Sequence, residues 1–236
     1  MMLGRKLQCV AVLAVLLLLQ GCATVSRPDP RDPLESVNRT IFGFNDAVDG
    51  AVLKPVAKGY RAITPQWLRR GVSNFFNNLE DVWSALNNGL QGRGQAFSDS
   101  VGRVLVNSTI GMFGLLDPAS ELNIERRSAD FGQTLGKWGV PPGPYVVLPI
   151  LGPYTLREVA AIPVDSYEPK YQLGDQDAHL VLPALSLVDI RTKFLGTDDL
   201  LGGASLDAYA FQRDGYLQRQ RNIQFDGNPP EDDTEP

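Results

Sequence analysis

Apolar side chains recur along most of this chain at steps of three and four, the spacing of one face of an α-helix. Leu34, Val37, Ile41, Phe44, Val48 and Ala51 form the first such stripe. Asp32 ahead of it is a helix-capping residue type, Pro33 suits a first helical position, and Glu35 stands three residues past the cap. Pro55 ends this helix or bends it. Thr64-Pro65 repeats the start signal, and Leu68, Val72, Phe75, Leu79, Val82, Leu86 and Leu90 predict a long amphipathic helix with a break near Gly71. Its opposite side carries Asn74, Asn77, Asn78, Asn87 and Asn88. Gly92 and Gly94 precede a third helix through Phe97, Val101, Val104 and Leu105. Asp117-Pro118 opens a short turn or helix, and Ser128 to Trp138 reads as a helix stopped by Gly139. Shorter helices are predicted over 155–161 and 185–195, and a last one from about Asp198 to Gln220. Strand-type alternation is scarce, so the fold class is mainly α.

Residues 139–153 depart from this pattern. Eight of the fifteen are Gly or Pro, yet Tyr145 to Leu148 and Ile150-Leu151 are strongly apolar. Such a segment is an extended or hairpin-like loop whose side chains leave water. It is either a connection packed on the core or a loop that meets lipid. No segment after the leader offers the roughly 20 consecutive apolar residues of a spanning helix. The amphipathic helices either pack their stripes together as a soluble bundle or lie in a membrane interface with one face in acyl chains. Periodicity alone favours the bundle.

The first 21 residues have a basic head (Arg5, Lys6) and an apolar run from Val10 to Leu19, the layout of an export signal. Leu19-Gln20-Gly21-Cys22 closes it and resembles a lipobox, which makes Cys22 the lipid-attachment residue and 22–31 a flexible, proline-bearing tether. Ala23 follows the cysteine in place of the aspartate that retains lipoproteins in the inner membrane, so the expected address is the outer membrane. The folded domain is expected over 32–225, with a disordered acidic tail over 226–236.

Charge and chemistry narrow the function. Loss of Arg5 and Lys6 with the leader lowers the basic residues from 22 to 20, against 27 acidic ones. No basic cluster is large enough for nucleic acid, and Arg69-Arg70 and Arg126-Arg127 read as solvated faces. Cys22 is the one cysteine left after cleavage, so no intrachain disulfide forms. His179, the one histidine, has apolar neighbours on its C-terminal side, and no Gly-x-Ser-x-Gly elbow or phosphate-binding loop occurs. The expectation is no enzyme, no metal and no cofactor.

Several segments together resemble the MlaA/VacJ family of outer-membrane lipoproteins. They include an N-terminal motif built on Asp32, Pro33, Leu34, Glu35, Asn38, Arg39, Phe42 and Asn45, then Val72 to Leu79 and Val106 to Gly111. The most specific is Asp130-Phe131-Gly132-Gln133-Thr134-Leu135-Gly136, running into Trp138-Gly139-Val140, Gly143-Pro144-Tyr145 and Leu156-Arg157. Glu158 stands where the family often has Asp.

The resemblance implies a ring-like assembly of amphipathic helices in the inner leaflet of the outer membrane, and so reverses the preference for a soluble bundle. It implies an amphipathic channel that removes misplaced phospholipid from the outer leaflet. Its implied partners are phospholipid, a porin trimer, a periplasmic phospholipid carrier and, indirectly, an inner-membrane ABC transporter complex. The alternative is a non-transporting scaffold docked on porins or an envelope assembly. Gly139, Val140, Gly143, Pro144, Tyr145, Arg157 and Glu158 are the channel candidates, with an ion pair at a helix start as the competing role for Arg157 and Glu158. Arg213, Arg219 and Arg221 on the last helix are the candidates for docking the carrier.

Overall fold

A computed structural model describes residues 29–173, 180–196 and 207–230. Cys22, His179 and the predicted start of the last helix at Asp198 lie outside the described residues. The described chain is mainly helical, and no helix in it is long and apolar enough to cross a membrane. In order, the elements are α1 (Glu35–Val48), a π turn (Asp49–Leu53), α2 (Lys54–Ile63), α3 (Gln66–Leu90), α4 (Gly94–Thr109), α5 (Pro118–Glu121), α6 (Phe131–Lys137), β1 (Tyr145–Leu148), β2 (Gly152–Thr155), α7 (Leu156–Asp165), α8 (Pro169–Gln172), α9 (Val181–Phe194) and α10 (Ala208–Gln224).

Pro55 bends the first helix without ending it. It has no N–H to give to the preceding turn, and the backbone widens into the π turn just ahead of it. Arg191 of α9 braces this bend with a two-pronged pair to Asp49, at 2.6 and 2.8 Å. The predicted break at Gly71 is absent: α3 runs unbroken through it.

The helical period holds along the chain, but the inward side is the opposite of the one that periodicity alone favours. On α4 the buried residues are Ala96, Ser100, Arg103 and Asn107, at steps of four, three and four. Phe97 and Leu105 from the apolar stripe are exposed instead. On α3 the buried set includes Asn78, Asp81, Ser84, Asn87 and Asn88, while Leu68, Val82, Leu86 and Leu90 face out. On α9 it is Ser186, Asp189 and Thr192. These helices turn their polar faces inward.

Buried polar groups need partners inside the protein, and most here find them, with a few atoms such as Arg157 Nε and Gln133 Oε1 as exceptions. Arg103 pairs with Asp81 (3.0 Å) and Asp117 (2.9 Å), and also donates to the Ile124 carbonyl. Arg126 pairs with Glu80 and buried Asp81 and so is structural, whereas Arg127 is exposed and pairs with Asp99 and Glu125 at the surface, as a solvated face would. Asn88 donates to Ser100 and the Arg127 carbonyl; the Ser84 hydroxyl accepts from the Ala129 N–H. One small apolar cluster complements this network: Tyr145, Val147 and Tyr209, with Ile41, Phe42, Tyr216 and Leu217 against it.

The Gly/Pro-rich segment is the hairpin β1–β2, antiparallel with Tyr145 opposite Thr155 and Leu148 opposite Gly152. Its outer edge is closed by side chains of α1. The Asn38 amide donates to the Tyr145 carbonyl (3.0 Å) and accepts from the Val147 N–H (2.9 Å). Asn45 repeats this with the Leu148 carbonyl (2.9 Å) and the Ile150 N–H (2.7 Å). Seven helical residues advance about 10.5 Å and three strand residues about 10 Å, so the two amides meet the strand in step. They act as a substitute strand along an edge that would otherwise be open.

Asp32 belongs to the same clamp. It does not cap α1, whose N-cap is Leu34; its carboxylate accepts from Asn38 (2.8 Å) and from the Tyr209 hydroxyl. The expected tether ends earlier than Arg31, because the Arg31 carbonyl accepts from the Tyr145 N–H and Asp29 takes the Arg31 guanidinium, which holds the Asp29 carboxyl down at about 2. The expected tail also starts later, since Asp226 pairs with Arg93 and Lys137.

Asn38→Asp keeps the acceptor for Val147 but replaces the donor with a carboxylate facing Asp32 and the Tyr145 carbonyl. Unfolding by denaturant in non-ionic detergent should fall by about 3 kcal/mol or more, the cost of unsatisfied buried polar groups. An unchanged midpoint would mean that the hairpin edge is held by something else.

Candidate functional site

Two clefts flank the hairpin and α7. The larger, about 1300 Å³, lies between α10 and the 142–143 turn, with Thr155 and Arg157 in its wall. The smaller, about 480 Å³, is bounded by α3, the start of α6, β2, α7 and α8. Arg219 and Gln220 of α10 belong to the walls of both.

The Asp130–Gly136 motif builds the partition between them. Asp130 caps α6 by accepting from the Gln133 N–H at 2.7 Å. Gly132 and Gly136 sit one helical turn apart where α7 crosses. A Cβ at Gly132 would stand 2.9 Å from the Glu158 side chain, and one at Gly136 would stand 2.8 Å from the Arg157 guanidinium. Glycine at both positions lets α7 approach closely enough to seat these two charges. Thr134 ties the same helix to α3, donating to Asn87 and accepting from Gln91.

Arg157 and Glu158 do not pair with one another; they serve opposite clefts. Glu158 closes a capping box at the start of α7, accepting from the Thr155 N–H (2.6 Å) and hydroxyl (2.8 Å) and from the Tyr216 hydroxyl. Arg157 is buried and donates to the Val140 carbonyl at 2.9 Å. The other channel candidates separate. Gly143 lines the larger cleft with a φ of +68°, and its neighbour Pro144 accepts from the Leu156 N–H. Gly139 and Val140 are exposed and line neither cleft. Tyr145 is fully buried in the apolar cluster, where burial pushes its phenol up to about 12; it shapes the hairpin and not a passage.

The N-terminal motif is a support. Asp32, Asn38 and Asn45 hold the hairpin, Phe42 meets Tyr209 edge-on at 5.7 Å, and Arg39 pairs with Glu35 and Asp207 while lying over the Tyr209 ring. Pro33 and Leu34 face outward. The docking arginines also divide. Arg213 is buried against Asp29, Asp32, Glu35 and Asp214, so its charge is not offered to a partner. Arg219 and Arg221 stand in the cleft wall.

The smaller cleft holds residues that periodicity did not single out. Asp130, Glu158, Asp165 and Glu168 converge there with Lys170. Burial raises the Asp130 carboxyl to about 6, with the Asp165 and Glu158 charges adding to the effect. Asp165 accepts from the Trp83 indole (2.9 Å) and the Phe131 N–H (2.9 Å). An acid–hydroxyl bond, Tyr216 to Glu158, joins α10 to α7, and only the fold brings these distant positions together.

A family model described as MlaA lipoprotein matches residues 30–223. The chain belongs to the MlaA lipoprotein family. Similar proteins include the intermembrane phospholipid transport system lipoprotein MlaA of Escherichia coli, 34% identical over 91% of this chain and 87% of that protein. The MlaA of Haemophilus influenzae is 34% identical over 89% of this chain and 86% of its own length. An uncharacterized protein of Rickettsia bellii is 34% identical over 89% and 82% respectively. A solved structure from work on the structural basis for maintenance of bacterial outer membrane lipid asymmetry superposes with a TM-score of 0.73 at 35% identity, covering 82% of this chain and 98% of that chain. The MlaA motifs quoted from the sequence thus coincide with the hairpin clamp and the α6–α7 seat.

Asp130 gives a pH signature. Its folded value lies above its unfolded one, so the stabilisation it contributes is complete below about pH 4 and is lost as pH rises through about 6. Asp130→Asn keeps the cap acceptor and removes the titration. Thermal unfolding between pH 4 and 6.5 should lose this component of its slope, up to about 3 kcal/mol across the window. A variant with the wild-type slope would place the titration on another carboxyl.

Proposed function

We propose that this protein is a non-catalytic phospholipid-transfer lipoprotein of the outer membrane, moving misplaced phospholipid out of the outer leaflet towards a periplasmic carrier. The observation that carries this reading is the reversed polarity of the helices. Among the described residues, Ile63 and Phe113 are each 83% exposed and Trp67 73%, while asparagines and an arginine–aspartate network take up much of the interior beside Phe76, Trp83 and the Tyr145 cluster. A body with that polarity suits acyl chains outside and a headgroup path inside, and contiguous exposed apolar surface marks a membrane or protein contact.

The turn after α4 strengthens the argument. Met112 and Phe113 adopt left-handed backbone (φ 54° and 59°), a conformation that disfavours bulky side chains. Bonds from Gly114 to the Asn107 carbonyl and from Leu116 to the Gly111 carbonyl hold them there, with Ile110, Met112 and Phe113 turned outward. Strain held by surrounding bonds points to a use for the presented surface, and an apolar tip in the leaflet is such a use.

In this mechanism Cys22 carries the lipid anchor that delivers the protein, and the helices lie as a ring in the inner leaflet beside a porin trimer. Headgroups pass the polar clefts near Arg157 and Glu158, and the carrier receives the lipid at the rim formed by Arg219 and Arg221. The carrier hands it on to an inner-membrane ABC transporter complex. The chain has no nucleotide-binding motif, so it lowers a barrier and the coupled machinery sets the direction.

Vesicles bearing the purified lipoprotein and labelled phospholipid should pass label to a soluble lipid-binding acceptor faster than bare vesicles. Ile63→Glu with Phe113→Glu, both at exposed positions, should reduce vesicle association at least about tenfold and transfer with it. A co-purified porin complex that contains no bound phospholipid and passes none would instead support the scaffold reading.

A further inference from the structure

Among the described residues, the larger cleft carries Arg31, Arg157, Arg219 and Arg221 against one carboxylate, Asp214. Two of the four are engaged already: Arg31 by Asp29 and Asp214, and Arg221 with the Pro230 carbonyl. Arg157 is different. It is only 5% exposed, yet no carboxylate lies within ion-pair distance of it among the described residues. Its Nη1 has two uncharged acceptors, the Val140 carbonyl and Gln224 Oε1 at 3.4 Å, and its buried Nε has no partner. A guanidinium removed from water without a counter-charge is costly, by several kcal/mol in general. Arg219, at the exposed rim of the same cleft, makes no ion pair among the described residues.

We infer that this cleft is a phosphate subsite for the headgroup of a phospholipid, with Arg157 meeting the phosphate from the buried side and Arg219 from the rim. The inference rests on the phospholipid-transfer reading and specifies which part of the lipid is recognised. Guanidinium groups bind phosphate oxygens in pairs, with geometry that a lysine cannot reproduce. Free phosphate shares that chemistry, but the cleft exceeds the 300–1000 Å³ usual for small-molecule sites. Leu217, Phe225 and Pro142 beside the cations supply the apolar wall that a glycerol backbone and the first acyl carbons would use. Specificity also follows. Among the described residues Asp214 is the cleft's one carboxylate, and Arg31 and Arg213 hold it, so no described acid is left to choose an amine-bearing headgroup. The site reads the phosphate that phospholipids share and is indifferent to what is esterified beyond it.

The test uses the full-length lipoprotein in an uncharged detergent, titrated by calorimetry with dihexanoyl-phosphatidylglycerol, dihexanoyl-phosphatidylcholine, dihexanoylglycerol and inorganic phosphate. The two phospholipids should bind within about threefold of each other, and the phosphate-free diglyceride at least about tenfold more weakly. Arg219→Gln should weaken both phospholipids about tenfold. Arg157→Lys should weaken them less than Arg157→Gln, because charge survives but the paired geometry does not. Circular dichroism checks the fold of each variant. If Arg157→Gln does not fold, the exposed Arg219→Gln still decides the matter.

Equal affinity for the diglyceride, or wild-type affinity in Arg219→Gln, would overturn the subsite. So would inorganic phosphate that binds without competing with the lipids. In those cases intact vesicle-to-acceptor transfer would leave the transport reading standing. A wild-type protein that neither binds nor transfers phospholipid would remove both.

Discussion

Everything in this structure depends on which way the helices point their polar faces. In water an amphipathic helix is held by burying its apolar stripe, at about 25 cal/mol per Å². Here α3, α4 and α9 bury asparagine, serine, aspartate and arginine. That interior gains little from the hydrophobic effect and must satisfy each polar group by geometry. Arg103 illustrates the demand: its five donors meet Asp81, Asp117, Ser120 and the Ile124 carbonyl. An incomplete network of this kind is worse than an apolar core. Apolar outer faces such as those of Ile63, Trp67 and Phe113 suit surroundings that are themselves apolar, which the proposed place in a leaflet would supply.

The hairpin is where this constraint meets function. A two-stranded ribbon is marginal alone, and Pro141, Pro142, Pro144, Pro149 and Pro153 deny this one a helical alternative. Asn38 and Asn45 complete its edge, and Tyr209 with Tyr216 covers its face from α10. The last helix and the first are thereby joined through a ribbon in the middle of the chain. Arg157 and Glu158 follow directly from β2 and take their positions from this ribbon and from the glycine pair on α6. The charges at the clefts are set by elements from both ends of the molecule.

Helix positions were legible in the sequence because period survives whatever the solvent. The inward face was not, because periodicity carries no sign: a stripe through Phe97, Val101 and Leu105 looks the same whether it meets protein or lipid. A hint was available in the polar stripe itself. Ser100, Arg103 and Asn107 keep helical spacing as faithfully as the apolar residues do, and a merely solvated face has no need of that regularity. Asp32 was misread as a cap because its partner Tyr209 lies 177 residues away. Arg213 was misread as a docking residue for the same reason, its acidic partners Asp29, Asp32 and Glu35 lying at the opposite end of the chain. Local rules cannot see contacts of such separation. The family motifs, by contrast, fall on the residues of the clamp and of the α6–α7 seat, though nothing in them says what either one does.

A protein without its own energy source can still do useful work on a lipid by dividing it. Carrying a diacyl chain through water exposes roughly 28 methylenes, on the order of 20 kcal/mol at about 0.8 kcal/mol each. Burying a lone phosphate in acyl chains is costly too, since a charge in hydrocarbon needs a partner. Neither half of the molecule can cross the other's medium unaided. In the proposed transfer, apolar faces outside and polar clefts inside, the larger of them cationic, let each half remain in a tolerable medium while the lipid changes orientation. Lowering both costs together requires the two surfaces to adjoin, and β1–β2 is where they do: Ile150 and Leu151 project outward at its tip, while Thr155 at its base reaches the larger cleft. The register that Asn38 and Asn45 fix therefore matters, because a ribbon that slipped by one residue would exchange its two faces and carry Thr155 away from the larger cleft.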